Sequence, residues 1–241
     1  MYINAEDLHF QILNNQIRES SDRIITLEHC MGQRYIGSGM SGKEITINGV
    51  PGNALGAYLD GGKILVCGNA QDATGDTMND GEIIVRGSCG DATGYGMRGG
   101  KIYVRGNVGY RAGIHMKAYQ DQQPVLVVGG EAGSFLGEYQ AGGTIIVLGL
   151  GSNKKTPVGS LCGTGMHGGA IYLRCDELPE DLPEQVAAAP ASKGDLAAID
   201  GYLNAFCEHF GVEKPKILSK GFQVLRPNTS NPYKALYTTY L

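Results

Sequence analysis

The chain has 241 residues, 38 of them glycine, with a formal net charge of −4 and a pI near 5.7. The mild acidity argues against a general binder of nucleic acid or anionic membranes, and no apolar run approaches the ~18 residues that suggest a transmembrane helix. Glycine is more than twice its usual share of about 7%, but a strict G-X-Y period is absent, which excludes collagen.

The opening MYINAEDLHF has neither a basic flank nor an apolar stretch, so no secretory signal is expected. Residues 1–43 predict an N-terminal cap. It holds a short helix with Asn4 as N-cap and Leu8 and Ile12 inward, then a strand near Ile24–Leu27.

From residue 44 the chain repeats. Glu44 begins EITINGVPGNALGAYLDGG, Lys63 begins KILVCGNAQDATGDTMNDG, Glu82 begins EIIVRGSCGDATGYGMRGG and Lys101 begins KIYVRGNVGYRAGIHM, each start 19 residues after the last. PVLVVG from Pro124, TIIVLG from Thr144 and AIYLRC from Ala170 continue the pattern with insertions, giving seven units over 44–175. Positions two and four of each opening are apolar: Ile45/Ile47, Ile64/Val66, Ile83/Val85, Ile102/Val104, Val125/Val127, Ile145/Val147 and Ile171/Leu173. That period of two predicts a strand with one buried face. Glycine follows at 49, 68, 87, 106, 129 and 149. The rest of each unit is too glycine-rich for a helix, since each interior glycine costs about 1 kcal/mol.

Such units bury apolar surface only by stacking on one another. The fold class expected is mainly β, a right-handed parallel β-helix of about seven coils over 44–175. Ladders of equivalent residues follow: Asn69, Ser88 and Asn107; Met78, Met97 and Met116; Ala73 and Ala92. A bulky residue at Gly87 is expected to be costly, on the reading that this glycine has positive φ.

Residues 176–241 predict a linker, a helix and an extended tail. Pro179, Pro183 and Pro190 mark Asp176–Pro190 as extended. Ser192 and Asp195 predict a capping box for a helix with Leu196, Ile199, Leu203, Phe206 and Phe210 on one face. The tail after Gly211, with Pro215, Pro227, Pro232 and several tyrosines, is expected to be extended and docked.

Several motifs invite a chemical reading. G-x-G-x-x-G occurs at Gly37–Gly42, Gly94–Gly99 and Gly163–Gly168. Each match precedes a strand, whereas a dinucleotide site needs a helix there, so these are turns. Asp72 and Asp91 share a repeat position and would suit Ca²⁺ or acid–base work, but capping of the local turn is the favoured reading. His115 and His167 have no serine or cysteine spaced for a triad. Ser152-Asn153-Lys154-Lys155 fits S-x-x-K but opens no helix. The methionine ladder reads as core filling. Ile64, Ala70 and Asp76 break the hexapeptide pattern of an acyltransferase helix, and Ala112 after Thr74 and Thr93 breaks an ice-binding threonine array. Six cysteines (Cys30, Cys67, Cys89, Cys162, Cys175, Cys207) without a C-x-x-C pair predict neither a disulfide framework nor a zinc or iron–sulfur site, and suit a reduced, cytoplasmic location. No catalytic, cofactor-binding or metal residue is assigned.

GDATGYGMRGGKIYVRG (90–106) and GEYQAGGTIIVLGLG (137–151) resemble the GXGXG domain, the C-terminal β-helix of the glutamate synthase large subunit. Glu138-Tyr139, then Ala141-Gly142-Gly143 and Val147-Leu148-Gly149, are its most specific part. The resemblance covers about 14–175, including Asp22-Arg23. It implies a non-catalytic structural subunit of a glutamate-synthase-type complex. The partners implied are a glutaminase-like subunit and a synthase subunit with FMN and an iron–sulfur cluster, with no cofactor in this chain. Met1 in place of an N-terminal cysteine nucleophile agrees with that. Gly109–His115 departs from the glutamate synthase pattern. Three alternatives stand beside this reading: an N-methylglutamate synthase subunit, a protein like the C-type component of formylmethanofuran dehydrogenase, and a free-standing β-helix enzyme acting on a polysaccharide through Asp72 and Asp91. Self-association is left open.

Overall fold

The computed structural model describes residues 1–228. In chain order it has β1 (Tyr2–Asn4), α1 (Phe10–Glu19), β2 (Ile24–Met31), β3 (Glu44–Val50), β4 (Asp60–Val66), β5 (Asp80–Val85) and β6 (Lys101–Val104). Then come β7 (Val125–Val128), β8 (Ala141–Val147), β9 (Gly168–Leu173), β10 (Val186–Pro190), α2 (Lys193–Phe210), α3 (Lys214–Leu218) and β11 (Gln223–Pro227). The protein is mainly β. One 11-stranded, mostly parallel sheet runs from β1 to β9 in chain order and ends with β11 and then β10, both antiparallel.

The repeat sets the register. Ile45 pairs with Ile64, Ile64 with Ile83, and Ile83 with Ile102. Hydrogen bonds also join successive units in their turns: the amides of Ala54, Ala73 and Ala92 donate to the carbonyls of Asp72, Asp91 and Tyr110 at 2.8–2.9 Å. In the opposite direction, Gly75 donates to Leu55 at 2.7 Å and Gly94 to Thr74 at 2.8 Å. Strand residues such as Ile64, Val66, Ile83 and Val85 share one core with the turn residues Leu55, Leu59, Met78 and Met97. Gly75 shows why the turns are glycine-rich. Its φ is +71°, and a Cβ there would overlap the Ile102 Cδ1 methyl.

A second apolar cluster lies on the other face of the sheet. Ile84, Tyr103, Val127, Ile146 and Tyr172 stand in one row across the strands and pack against Ile199, Leu203 and Phe206 of α2. The predicted capping box starts this helix: Ser192 Oγ accepts the Asp195 amide at 3.1 Å and Asp195 Oδ2 accepts the Ser192 amide at 2.8 Å. Gly211 ends it with φ +64°. His209 Nε2 lies 3.1 Å from Glu82 Oε1, fastening the helix end to β5. Arg174 Nε donates to the Ile217 carbonyl at 2.6 Å and fastens α3.

Several local expectations change. Asn4 is not a helix cap; its Oδ1 accepts the Glu6 amide at 3.2 Å just after β1, and α1 begins at Phe10 with His9 as N-cap. Leu13 and Ile17 face inward, and Ile12 is 53% exposed, because one helical face is spaced i, i+4 from Leu13. The register continues upstream of Glu44, with Ile25 opposite Ile45 and Leu27 opposite Ile47. In β7 the residues facing the inner core are Leu126 and Val128, one place from the pair read as inward, while Val125 and Val127 face α2. VLVV is apolar throughout because both faces are covered, so its pattern carries no direction. Gly130 rather than Gly129 then aligns with Gly106 and Gly149. Gly87 lies outside the left-handed region; its constraint is Asn69 Oδ1, which a Cβ would overlap. The segment read as a linker contains β10, and the tail read as extended after Gly211 opens with the helix α3, where Pro215 sits in the first turn and costs no hydrogen bond. β11 then lies between β9 and β10. Pro232 and the tyrosines beyond it fall outside the described residues.

Candidate functional site

The polar ladders join one unit to the next. Asp72 Oδ1 accepts the amide of Asp91 at 2.9 Å, and Asp91 Oδ1 accepts that of Tyr110 at 2.8 Å. Each aspartate therefore caps the following unit, not its own turn. Asn69 and Ser88 act alike towards the amides of Ser88 and Asn107, at 2.9 and 3.0 Å. The glycine before each capped amide leaves room for the side chain: a Cβ on Gly90 or Gly109 would overlap Asp72 or Asp91 Oδ1. A hydrogen bond from the next unit's backbone amide thus accounts for the position of each carboxylate.

The other motifs are also placed. All three G-x-G-x-x-G segments form turns leading to strands. Met78, Met97 and Met116 are fully buried. Ser152 Oγ donates to Glu131 Oε1 at 2.6 Å and Lys154 pairs with Glu131 Oε2, which together hold the Glu131 carboxyl below its usual range, Lys154 contributing most. Lys155 pairs with Glu177 at 3.0 Å.

One surface depression gathers chemically active side chains, and the sequence reading did not assemble it. His115 (φ 56°) and Tyr139 (φ 54°) occupy the same place in successive units, in the left-handed region. Their rings stack with centroids 5.2 Å apart and planes 13° apart. Tyr95 meets His115 edge-on at 5.8 Å. Gly165 occupies the next place, where a Cβ would come within 2.5 Å of the Tyr139 ring. Two residues beyond this column lies a second one, Arg98, Lys117, Ala141 and His167, aligned by amides donating to Met78, Met97, Met116 and Gln140. Both columns line the same open groove. Gln140 is fully buried in the methionine row, and its Nε2 donates to the carbonyls of Gly142 and Gly143 at 3.2 and 3.1 Å, fixing the turn into β8. Glu138 pairs with Arg111 at 3.0 Å. The signal for the groove was an aromatic or histidine at one repeat position, hidden by the insertion between Lys101 and Val125.

Among the described residues no group of three or more His, Cys, Asp or Glu is placed to hold a metal ion. Cys30, Cys89, Cys162 and Cys175 are buried, and burial pushes their thiols up to about 11, 12, 12 and 11, away from the thiolate a cluster needs. Among the described residues no helix is long and apolar enough to cross a membrane.

A family model described as the GXGXG motif matches residues 7–229. The chain belongs to the GXGXG motif family. This GXGXG chain is 44% identical over 249 residues to an uncharacterized protein, MJ1350, of Methanocaldococcus jannaschii, covering 98% of this chain and 95% of that one. Its fold is similar to a chain in the crystal structure of the formyltransferase/hydrolase complex (FhcABCD) from Methylorubrum extorquens in complex with methylofuran. The TM-score is 0.62 at 20% identity, covering 85% of this chain and 73% of that one.

Proposed function

We propose that this GXGXG protein is a structural, non-catalytic subunit of a multi-subunit enzyme of glutamate-synthase type. It bridges a glutaminase-like subunit and a synthase subunit that carries FMN and an iron–sulfur cluster, within the cytoplasm. Its repeats wind as a right-handed parallel β-helix, preceded by the cap of 1–43 and followed by the C-terminal region of 176–241.

The observation that carries this reading is the use made of the polar side chains. Asp72, Asp91, Asn69 and Ser88 each bind a backbone amide of the next unit, so the repeat spends its polar groups on rigidity. The stretch behind the glutamate synthase resemblance is structural too, with Gln140 pinning a turn and Glu138 pairing with Arg111. Affinity capture of the tagged chain from its native host tests the reading. A yellow-brown eluate with glutaminase-like and flavin/iron–sulfur subunits supports it, and a colourless eluate without them overturns it.

A second reading is favoured by the fold similarity to the formyltransferase/hydrolase complex. There the chain serves as a subunit in formyl-group chemistry, of the formylmethanofuran dehydrogenase kind. Molybdenum or tungsten in the captured complex, with no flavin, selects that reading.

A further inference from the structure

We infer that the groove between the rings of Tyr95, His115 and Tyr139 and the Arg98–Lys117 column is where an acidic segment of a partner subunit docks. The inference rests on the scaffold reading and names the face that reading leaves open.

Three observations carry it. The first is a stacked pair of rings at the surface. The third left-handed position of successive units is held by Gly39, Tyr58, Thr77, Gly96, His115, Tyr139 and Gly165. Of these, His115 and Tyr139 are the pair that puts rings there in adjacent units, and His115 is exposed. The inner core gains nothing from an exposed ring. The second is charge. Arg98 and Lys117 have neither an ion-pair nor a side-chain hydrogen-bond partner among the described residues, although the whole chain is net negative. The neighbouring carboxylates are already engaged, Asp76 by the Thr77 hydroxyl at 2.8 Å and Glu138 by Arg111. The third is composition. Tyrosine and arginine are enriched at protein–protein contacts, because they bring large, rigid area and a planar cation. Carboxylates of an incoming segment complete Arg98 and Lys117 while its apolar groups cover the rings. Among the described residues no carboxylate lines this groove to neutralise Arg98 and Lys117.

The test uses the chain in its native complex. A photo-reactive phenylalanine analogue replaces His115, and the cross-linked peptide is identified by mass spectrometry. The result expected is a segment of another subunit that contains Asp or Glu. Cross-links only to a second copy of this chain, or to a segment without acidic residues, overturn the proposal. In parallel, Arg98→Glu with Lys117→Glu is expected to weaken retention of the partner subunits at least tenfold, and His115→Gly with Tyr139→Gly to weaken it as well. Glycine suits both positions, so the melting temperature of that pair is expected to hold. If partners co-purify with the unaltered chain and equally with both variants, the groove assignment fails and the scaffold reading stands. If the unaltered chain captures no enzyme subunits, both fall together.

Discussion

Asp72 Oδ1 accepts the amide of Asp91 at 2.9 Å, on the spot that a Cβ of Gly90 would need. One carboxylate thus explains two sequence features, an aspartate repeating at 72 and 91 and a glycine before the second. The hydrogen bond and the close approach are a single device for holding adjacent units in register.

That coupling has a measurable form. Gly90→Ala is expected to cost about 1–3 kcal/mol, as overpacking does. Asp72→Ala is expected to cost about 1 kcal/mol through the lost hydrogen bond. In the double variant the alanine no longer meets the carboxylate, so the costs fall short of their sum by about 0.5 kcal/mol or more. Urea denaturation of the four proteins gives the cycle, and strict additivity would contradict the shared device.

Gly75 is constrained differently, by φ +71° and by the Ile102 Cδ1 methyl. Gly75→Ala is expected to cost about 1–2 kcal/mol for the left-handed backbone and about 1–3 kcal/mol more for the overlap. Ile102→Val removes that methyl, costs about 0.5–1.5 kcal/mol alone, and relieves part of the Gly75→Ala penalty. Thermal melts of the single and double variants show the relief as a smaller combined loss.

Phe206 joins α2 to the sheet. It is fully buried, and a Cβ on Gly129 would lie 2.7 Å from its Cζ. Phe206→Ala is expected to cost about 3–5 kcal/mol. Hydrogen exchange then locates the effect: amides of α2 lose protection more than those of β4 and β5.

Asp195 is the acid-sensitive cap. Hydrogen bonds from Ser192, then from Arg226, hold its carboxyl down at about 2. A depressed folded pKa adds stability above the unfolded value, near 3.8, and that stability is lost as pH falls through about 2. The expected result is a melting temperature that drops across this window, with a smaller drop in Asp195→Asn. Equal slopes in the two proteins would remove the assignment.

Thiol reactivity divides the six cysteines. Cys67 is exposed, whereas Cys30, Cys89, Cys162 and Cys175 are buried and Cys207 half-buried, with thiols pushed up by burial. A chromogenic disulfide at pH 8 is expected to report one fast thiol in the native protein and six in urea. Cys67→Ser should abolish the fast phase.

Much of the scaffold was legible in the sequence. The 19-residue spacing of glycines and β-branched pairs gave the strands and the register from Glu44 to Val104. The Ser192/Asp195 box placed α2 to the residue. These signals are local, or repeat at a fixed interval, so a chain read alone displays them. The N-terminal helix was misplaced because Asn4 offers its side chain to a turn as readily as to a helix, and only packing of Leu13 and Ile17 decides between them.

By itself the sequence determined the unit, its alternation and the turns where a side chain on the glycine would collide. Tertiary structure decided which face of Val125–Val128 turns inward, because α2 covers the outer face and erases the polar half of the pattern. It also decided that Asp72 reaches forward to Asp91, and that Tyr95, His115, Tyr139, Arg98 and Lys117 share one groove. Insertions of unequal length separate those residues along the chain, and only the inter-unit hydrogen bonds restore their alignment.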